Sequence, residues 1–545
     1  MKNRISLLLL CTTITISAQQ ALRNTITRAQ RRANALIIRN AASNQEAARA
    51  IATQMVNGDI DRYTDKRALF AKGLPFSDTG FVDVNAFNRM QAALRSGNPA
   101  LLDTIPMGTN PIVKKLVDPQ AAYTFNLAGA DTWIIPMTPP PALSSAEMAG
   151  ELVELYWQAY VRDVFFTDYE SNPDVANAVA DLNQLSDFKG PRENGQVTAK
   201  TVFRGATPGN LVGPYISQFL YLPLPYGPKP NYEGQFQTRI VPMPDPNTND
   251  FMTTFDEWLA IERGNNPTRT TTYDLSGPWF ITSGRDLAEF VHFDYPTEAF
   301  DNAAMILLNF GKAALDPNNP YVNNPTQAGF VSYGGSDVFY LISVATELAL
   351  RAAWYHKWLV HLRLRPEYAG FLADCQKSGV QDMGLHNDLM NAFVLEQIFT
   401  GYHSYLLPQA YPEGSPLHPS YPAGHAAIGG ACVTILKAFF NEAFVIPNPV
   451  APDATNDNLI PYTDSQLTVG NELNKLASNI CMGRNFAGIH YRSDGEQGML
   501  LGEQVAIALL ENEAFSRHNP FNGYSLTKFD GNTITIGARK TVPTL

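Results

Sequence analysis

The chain has 545 residues and a formal charge of −11, with 45% hydrophobic and 17% charged residues. That length buries one large core or two ordinary ones, and that composition excludes collagen-like and disordered chains. The acidic balance argues against nucleic acid and anionic membrane as partners, since both bind a basic surface, and any anion must be held in a local basic pocket.

Lys2 and Arg4 precede an apolar run over residues 5–16, and Ser17-Ala18-Gln19 follows with small residues. This is the pattern of a signal peptide over residues 1–18, and it predicts a secreted, periplasmic or cell-surface protein. The apolar run is too short to span a bilayer. Residues 19–60 form an N-terminal helical arm, with Arg28, Arg31, Arg32 and Arg39 at helical spacing. Two readings stand for it: a helix for a membrane or a partner, or a solvated face packed on the body or on another subunit.

Many of the 38 prolines and 38 glycines fall between residues 205 and 280, which predicts long ordered loops there. The composition shift near residue 280 is the one boundary proposed. Residues 61–545 read as a single large helical unit whose site-bearing part is 281–512. Helices are predicted over 143–166, 285–316 with Ser283 as cap, 336–365 with Ser336-Asp337 as cap, 425–443 and 493–512. The last two are apolar nearly all round and should be buried. Strand-like stretches such as 239–243 and 533–536 are few and short. The fold class is mainly α: helical bundles carrying a site between facing helices. Cys432 and Cys481 sit in apolar surroundings and read as buried free thiols, with a disulfide among Cys375, Cys432 and Cys481 left open.

One constellation carries chemistry. Lys357 and Arg365 lie eight residues apart, about 80° of rotation on one helix, flanking a stripe. For that segment alone, surface snorkelling is an equal reading. Pro422-Ala423-Gly424-His425 leads into an apolar helix whose N-terminus favours an anion. Gly424 lets the backbone approach closely, and an imidazole at His425 can exchange protons near neutrality. His418 precedes it on the same proline-rich loop. Arg484 and His490 would point about 120° apart on one helix. Gly488 breaks that helix, and Ser493-Asp494-Gly495-Glu496 reads as a capping box opening the next, so His490 falls in a connector. Three cations, a helix start and three imidazoles suit a compact oxyanion. There is no HExxH, GxSxG or Walker A sequence.

Lys357-x7-Arg365-Pro366, Glu413-Gly-Ser-Pro416, His418-Pro-Ser-Tyr421, Gly424-His425 and Gly483-Arg-Asn-x-Ala-Gly-x-His-Tyr491 resemble the vanadium-dependent haloperoxidases, most closely the red-algal bromoperoxidase type. So do residues 430–440 and Lys528-Phe-Asp-Gly531. The resemblance runs in patches from about residue 60 to the C-terminus. It implies vanadate as cofactor and no haem. His490 would be the axial vanadium ligand; Lys357, Arg365, Arg484 and the Gly424 amide would hold equatorial oxygens. His425 would act as acid and base, His418 would assist bromide oxidation, and Lys357 would also polarise peroxide. The implied reaction joins hydrogen peroxide and halide to hypohalous acid, which halogenates small organic acceptors, in a homo-oligomeric enzyme. Asp294 is expected behind Arg484.

Three departures matter. Ala423 stands where many members carry Ser, so activity should be retuned. Residues 322–329 lack the acids of the red-algal calcium site, so no calcium is expected there. Trp354 and His356 precede Lys357 and bear on halide choice. Vanadate and phosphate share shape and charge, so the alternative is an acid phosphatase with His490 as nucleophile and His425 as general acid.

Overall fold

The computed structural model describes residues 27–240, 249–293 and 295–537. The segment 1–18, most of 239–243 and Asp294 lie outside those residues. Helices dominate, and the strands form two-stranded antiparallel sheets, one of them Tyr524–Thr527 with Thr533–Ile536. This is the mainly α fold that the patterning predicts. One contiguous apolar core runs from Ala68 to Ile536. Cys375, Cys432 and Cys481 are buried free thiols.

In the arm, α1 (Arg28–Ala47) has no buried residue; it is tethered to the body where Arg49 meets Glu511 at 2.6 Å. Helix α2 (Ala146–Tyr160) is buried along most of its length. The helix expected over 285–316 is two, α3 (Gly284–Phe293) and α4 (Glu298–Asn309), with Pro296 between them. Ser283 does cap α3, accepting from the Asp286 amide at 3.1 Å.

The 336–365 helix also needs correction. Helix α5 (Gly335–Tyr355) starts at Gly334 without a side-chain cap; Asp337 instead accepts from the Tyr333 amide at 2.7 Å. At residue 356 the chain widens into a π-helical turn, His356–His361, which ends at Leu362 with a φ of 47°. Arg365 is then the N-cap of α6 (Pro366–Lys377), so Lys357 and Arg365 do not share a helix. A π turn is a common device for re-aiming one side chain at a site, here Lys357.

Helices α7 (Gly424–Phe439), α8 (Val469–Phe486) and α9 (Arg492–Ser516) form the centre of the bundle. Glycine makes the α7–α9 contact possible: a Cβ at Gly430 would lie 2.0 Å from the Met499 carbonyl oxygen, and one at Gly502 2.0 Å from that of Ala427. The two helices run parallel, with Ala423 beside Gly498 and Ala427 beside Gly502. Their N-termini therefore lie at the same end, linked by the Ala423 amide donating to the Asp494 carbonyl at 2.9 Å. Parallel helix starts add their positive dipole ends at one place.

Candidate active site

That end of the bundle opens into a cavity of about 450 Å³. His418, Gly424, His425, Arg484 and His490 line it, together with Trp354, Tyr411, His292 and Glu413. Lys357 and Arg365 sit just behind this wall. The Lys357 ammonium donates to the Pro419 and Ser420 carbonyls at 2.6 and 2.8 Å. The Arg365 guanidinium donates to the carbonyls of His418 at 2.9 Å and Ile489 at 2.8 Å, to His490 Nε2 at 3.0 Å and to His418 Nδ1 at 3.0 Å. The two cations thus pin the 418–420 loop, and Arg365 ties it to the His490 connector. All seven residues singled out from the sequence converge here.

Gly488, with a φ of 83°, turns the chain after α8 as expected. Arg484 in the last turn of α8 donates to the Val291 carbonyl at 2.8 Å, while its Nε is buried with no hydrogen-bond partner. Asp294 falls outside the described residues. Helix α7 begins at Gly424, whose first-turn amide has no intrahelical acceptor, and Ala423 at the N-cap gives the turn no side-chain cap. His425 lines the cavity from that first turn. His418 packs on Trp354, ring centres 4.9 Å apart. His356, by contrast, is turned away and bonds the Ile135 carbonyl at 3.0 Å.

The electrostatics are those of a site built for negative charge. Lys357, Arg365 and Arg484 are buried, and among the described residues no carboxylate lies within ion-pair distance of them. Burial pushes the Lys357 ammonium well below its ordinary range, and the nearby Arg365 charge adds to this. Burial likewise lowers Arg365 to about 10. His490 and His418 are held well below the usual imidazole range, by burial first and then by the surrounding cations. A bound oxyanion would relieve every one of these penalties.

The sequence reading missed the centre of the support. Asp494 is not one of a Ser493–Glu496 capping pair. The α9 N-cap is Tyr491, whose amide donates to Asp494 Oδ2 at 3.1 Å, and Glu496 pairs with Arg492 at 3.1 Å instead. Asp494 also accepts hydrogen bonds from His490 Nδ1–H at 2.8 Å, from Ser420 Oγ, and from Arg363 Nη1 at 2.7 Å. Arg363 in turn bonds Glu151 on α2 at 2.8 Å and lies 3.9 Å from the Tyr491 ring centre. Burial alone would raise the Asp494 carboxyl, but Arg363 and His490 outweigh it and hold the group far below the ordinary carboxylate range. With Nδ1–H committed to Asp494, the other nitrogen, Nε2, carries the lone pair, which here accepts from Arg365 Nη1 at 3.0 Å and would have to exchange that bond for a metal. The one sequence signal was the four-residue spacing of His490 and Asp494.

This geometry can be set beside known proteins. The chain is 34% identical over 548 residues to the vanadium-dependent bromoperoxidase of Corallina officinalis, covering 86% of this chain and 90% of that protein. It is 36% identical over 518 residues to that of Ascophyllum nodosum, covering 89% and 90%. The chain belongs to the vanadium-dependent bromoperoxidase family. Residues 337–517 match the family model "VCPO second helical-bundle domain", which spans the π turn, α7, α8 and α9. The homohexameric structure of the second vanadate-dependent bromoperoxidase from Ascophyllum nodosum superposes with a TM-score of 0.87 at 28% identity, covering 94% of this chain and 92% of that one.

Proposed function

We propose that the cavity holds vanadate and that the chain oxidises bromide and iodide with hydrogen peroxide to hypohalous acid, which then halogenates small organic acceptors. One observation carries the reading: three buried cations, none ion-paired with a carboxylate among the described residues and one with an unpartnered Nε, gather at a cavity walled by an uncapped helix start and the His490 imidazole. The residues fit the group. Lys357, Arg365, Arg484 and the Gly424 amide would neutralise and bond its oxygens, and His490 Nε2 would ligate the metal.

Bound vanadate supplies a Lewis-acidic centre that makes peroxide oxygen electrophilic without changing its own oxidation state. The protein's residues do the rest. Asp494 fixes the His490 tautomer; Lys357 and Arg365 hold the loop that carries His418. His425 takes a proton from incoming peroxide and returns one to the departing oxygen. His418, packed against Trp354, would assist halide oxidation. The balance is H₂O₂ + Br⁻ + H⁺ → HOBr + H₂O, so a proton is consumed in each turnover.

The Ascophyllum neighbour is homohexameric, and the reading extends to a homo-oligomer here, with the exposed arm helix α1 available to a second copy. Export through the 1–18 segment belongs to the same proposal. The test of function is to strip the protein of anions and add back orthovanadate or phosphate. Both bromination of a diketone dye and hydrolysis of a phosphate ester are then followed. Bromination that requires vanadate supports the reading. Ester hydrolysis inhibited by vanadate, with no bromination, would replace it with a phosphatase.

A further inference from the structure

The cavity wall carries a second cluster that this chemistry leaves unused. His292, in the last turn of α3, donates from Nε2 to Glu413 Oε1 at 2.8 Å, and its Nδ1 lies 3.6 Å from Glu289 one turn earlier. The imidazole is stacked on Tyr411, centroids 3.8 Å apart and planes 8° from parallel. The Arg484 guanidinium stands 5.6 Å from the centre of that same Tyr411 ring. Lys72 fixes the loop from behind, donating to the Glu413 carbonyl at 2.9 Å while paired with buried Glu367 at 2.9 Å.

Glu413 is the only carboxylate among the described residues lining the cavity, and its side chain is 37% exposed, against 4% for Glu289. Burial alone would raise its carboxyl, but the His292 hydrogen bond and charge bring it below the ordinary range, so the negative charge is present at working pH. Two carboxylates around one imidazole leave a net negative cluster whichever way His292 is charged. The proposed reaction takes one anionic substrate and one neutral one. A fixed negative charge on their common wall raises the free energy of the halide and leaves that of peroxide nearly untouched.

We propose that Glu413, held by His292 and backed by Glu289, is a specificity-determining residue that weakens halide binding relative to peroxide. This rests on the haloperoxidase reading, and the experiment separates the two. Glu413→Gln keeps the size and a hydrogen bond to His292 but removes the charge. In the full-length, vanadate-loaded protein the KM for bromide should fall about three- to tenfold, with no parallel fall in the KM for peroxide. The difference from wild type should shrink as salt is added. Glu413→Asp, which restores the charge, should restore a bromide KM near that of wild type.

A second readout needs no turnover. Iodide and neutral acrylamide quench the tryptophan fluorescence that is lost in Trp354→Phe, and Glu413→Gln should raise the iodide constant and leave the acrylamide constant unchanged. A bromide KM that does not move, or that moves together with the peroxide KM, overturns the assignment. So does an unchanged iodide constant. If wild type shows no vanadate-dependent bromination, the functional reading fails, and the quenching ratio alone then decides whether Glu413 excludes anions.

Discussion

His490 and Asp494 lie one helical turn apart, and the imidazole Nδ1–H donates to the buried carboxylate Oδ2 over 2.8 Å. That bond fixes the ring and leaves Nε2 as the acceptor nitrogen, which takes a hydrogen bond from Arg365 Nη1 at 3.0 Å. Carboxylates behind metal-binding histidines are typically worth 10- to 100-fold in metal affinity. Asp494→Asn should therefore weaken vanadate binding by about that factor, since an amide can donate to Nδ1 and favour the wrong tautomer. Equilibrium dialysis with vanadate measures this, and circular dichroism checks that losing the Arg363 ion pair has not unfolded the variant. Unchanged affinity in a folded variant would remove Asp494 from the account.

Ala423 is buried at the N-cap of α7 and makes no cap bond. A hydroxyl there can either cap the first turn or donate to an oxyanion at Gly424. A hydrogen bond to a charged group is worth about 1.5–3 kcal/mol, so Ala423→Ser should tighten vanadate binding by about tenfold or more. The same change should raise the melting temperature of the anion-free protein if the hydroxyl turns to the helix instead. Titrating vanadate into both proteins, with a thermal melt of each, distinguishes the two.

Glu262 is buried on the far side of Lys72, with one carboxyl oxygen unpartnered. Burial pushes its carboxyl up from 4.5 to about 8, with Lys72 opposing and Glu367 adding to the rise. The folded state therefore keeps a proton that the unfolded chain releases. Stability should fall as pH climbs from about 4.5 towards 8, by up to about 1.4 kcal/mol per unit for this one group, and level off above. Glu262→Gln should lose that part of the pH dependence and exceed wild type in stability most clearly above pH 8. Urea unfolding of both proteins at pH 5, 7 and 9 tests it; parallel pH profiles would contradict it.

The apolar runs of α7 and α9, the Gly488 break and the convergent cations were legible because each is written locally, in periodicity or in a motif. What was not legible depends on contacts distant in sequence. The π turn that separates Lys357 from Arg365 has no signal in a run that reads as continuous helix from 336 to 365. Arg363 lies in the segment that reads equally well as surface snorkelling, yet it is buried between Glu151 and Asp494, 212 and 131 residues away. Asp494 was visible, but the capping box was placed two residues late, and nothing local shows that the carboxylate closing the box with Tyr491 also holds the His490 imidazole.

The central claim is that His490 Nε2, backed by three buried cations, holds vanadate for bromide oxidation. The most direct test is to count vanadate bound per chain by equilibrium dialysis of anion-stripped wild type and His490→Ala, and to assay bromination of the same samples. Wild type should take up one vanadate per chain and brominate only when loaded, with phosphate competing. His490→Ala should lose bromination at every vanadate concentration tested. Bromination by His490→Ala at the wild-type rate, or a wild type that binds vanadate and does not brominate, would contradict the account.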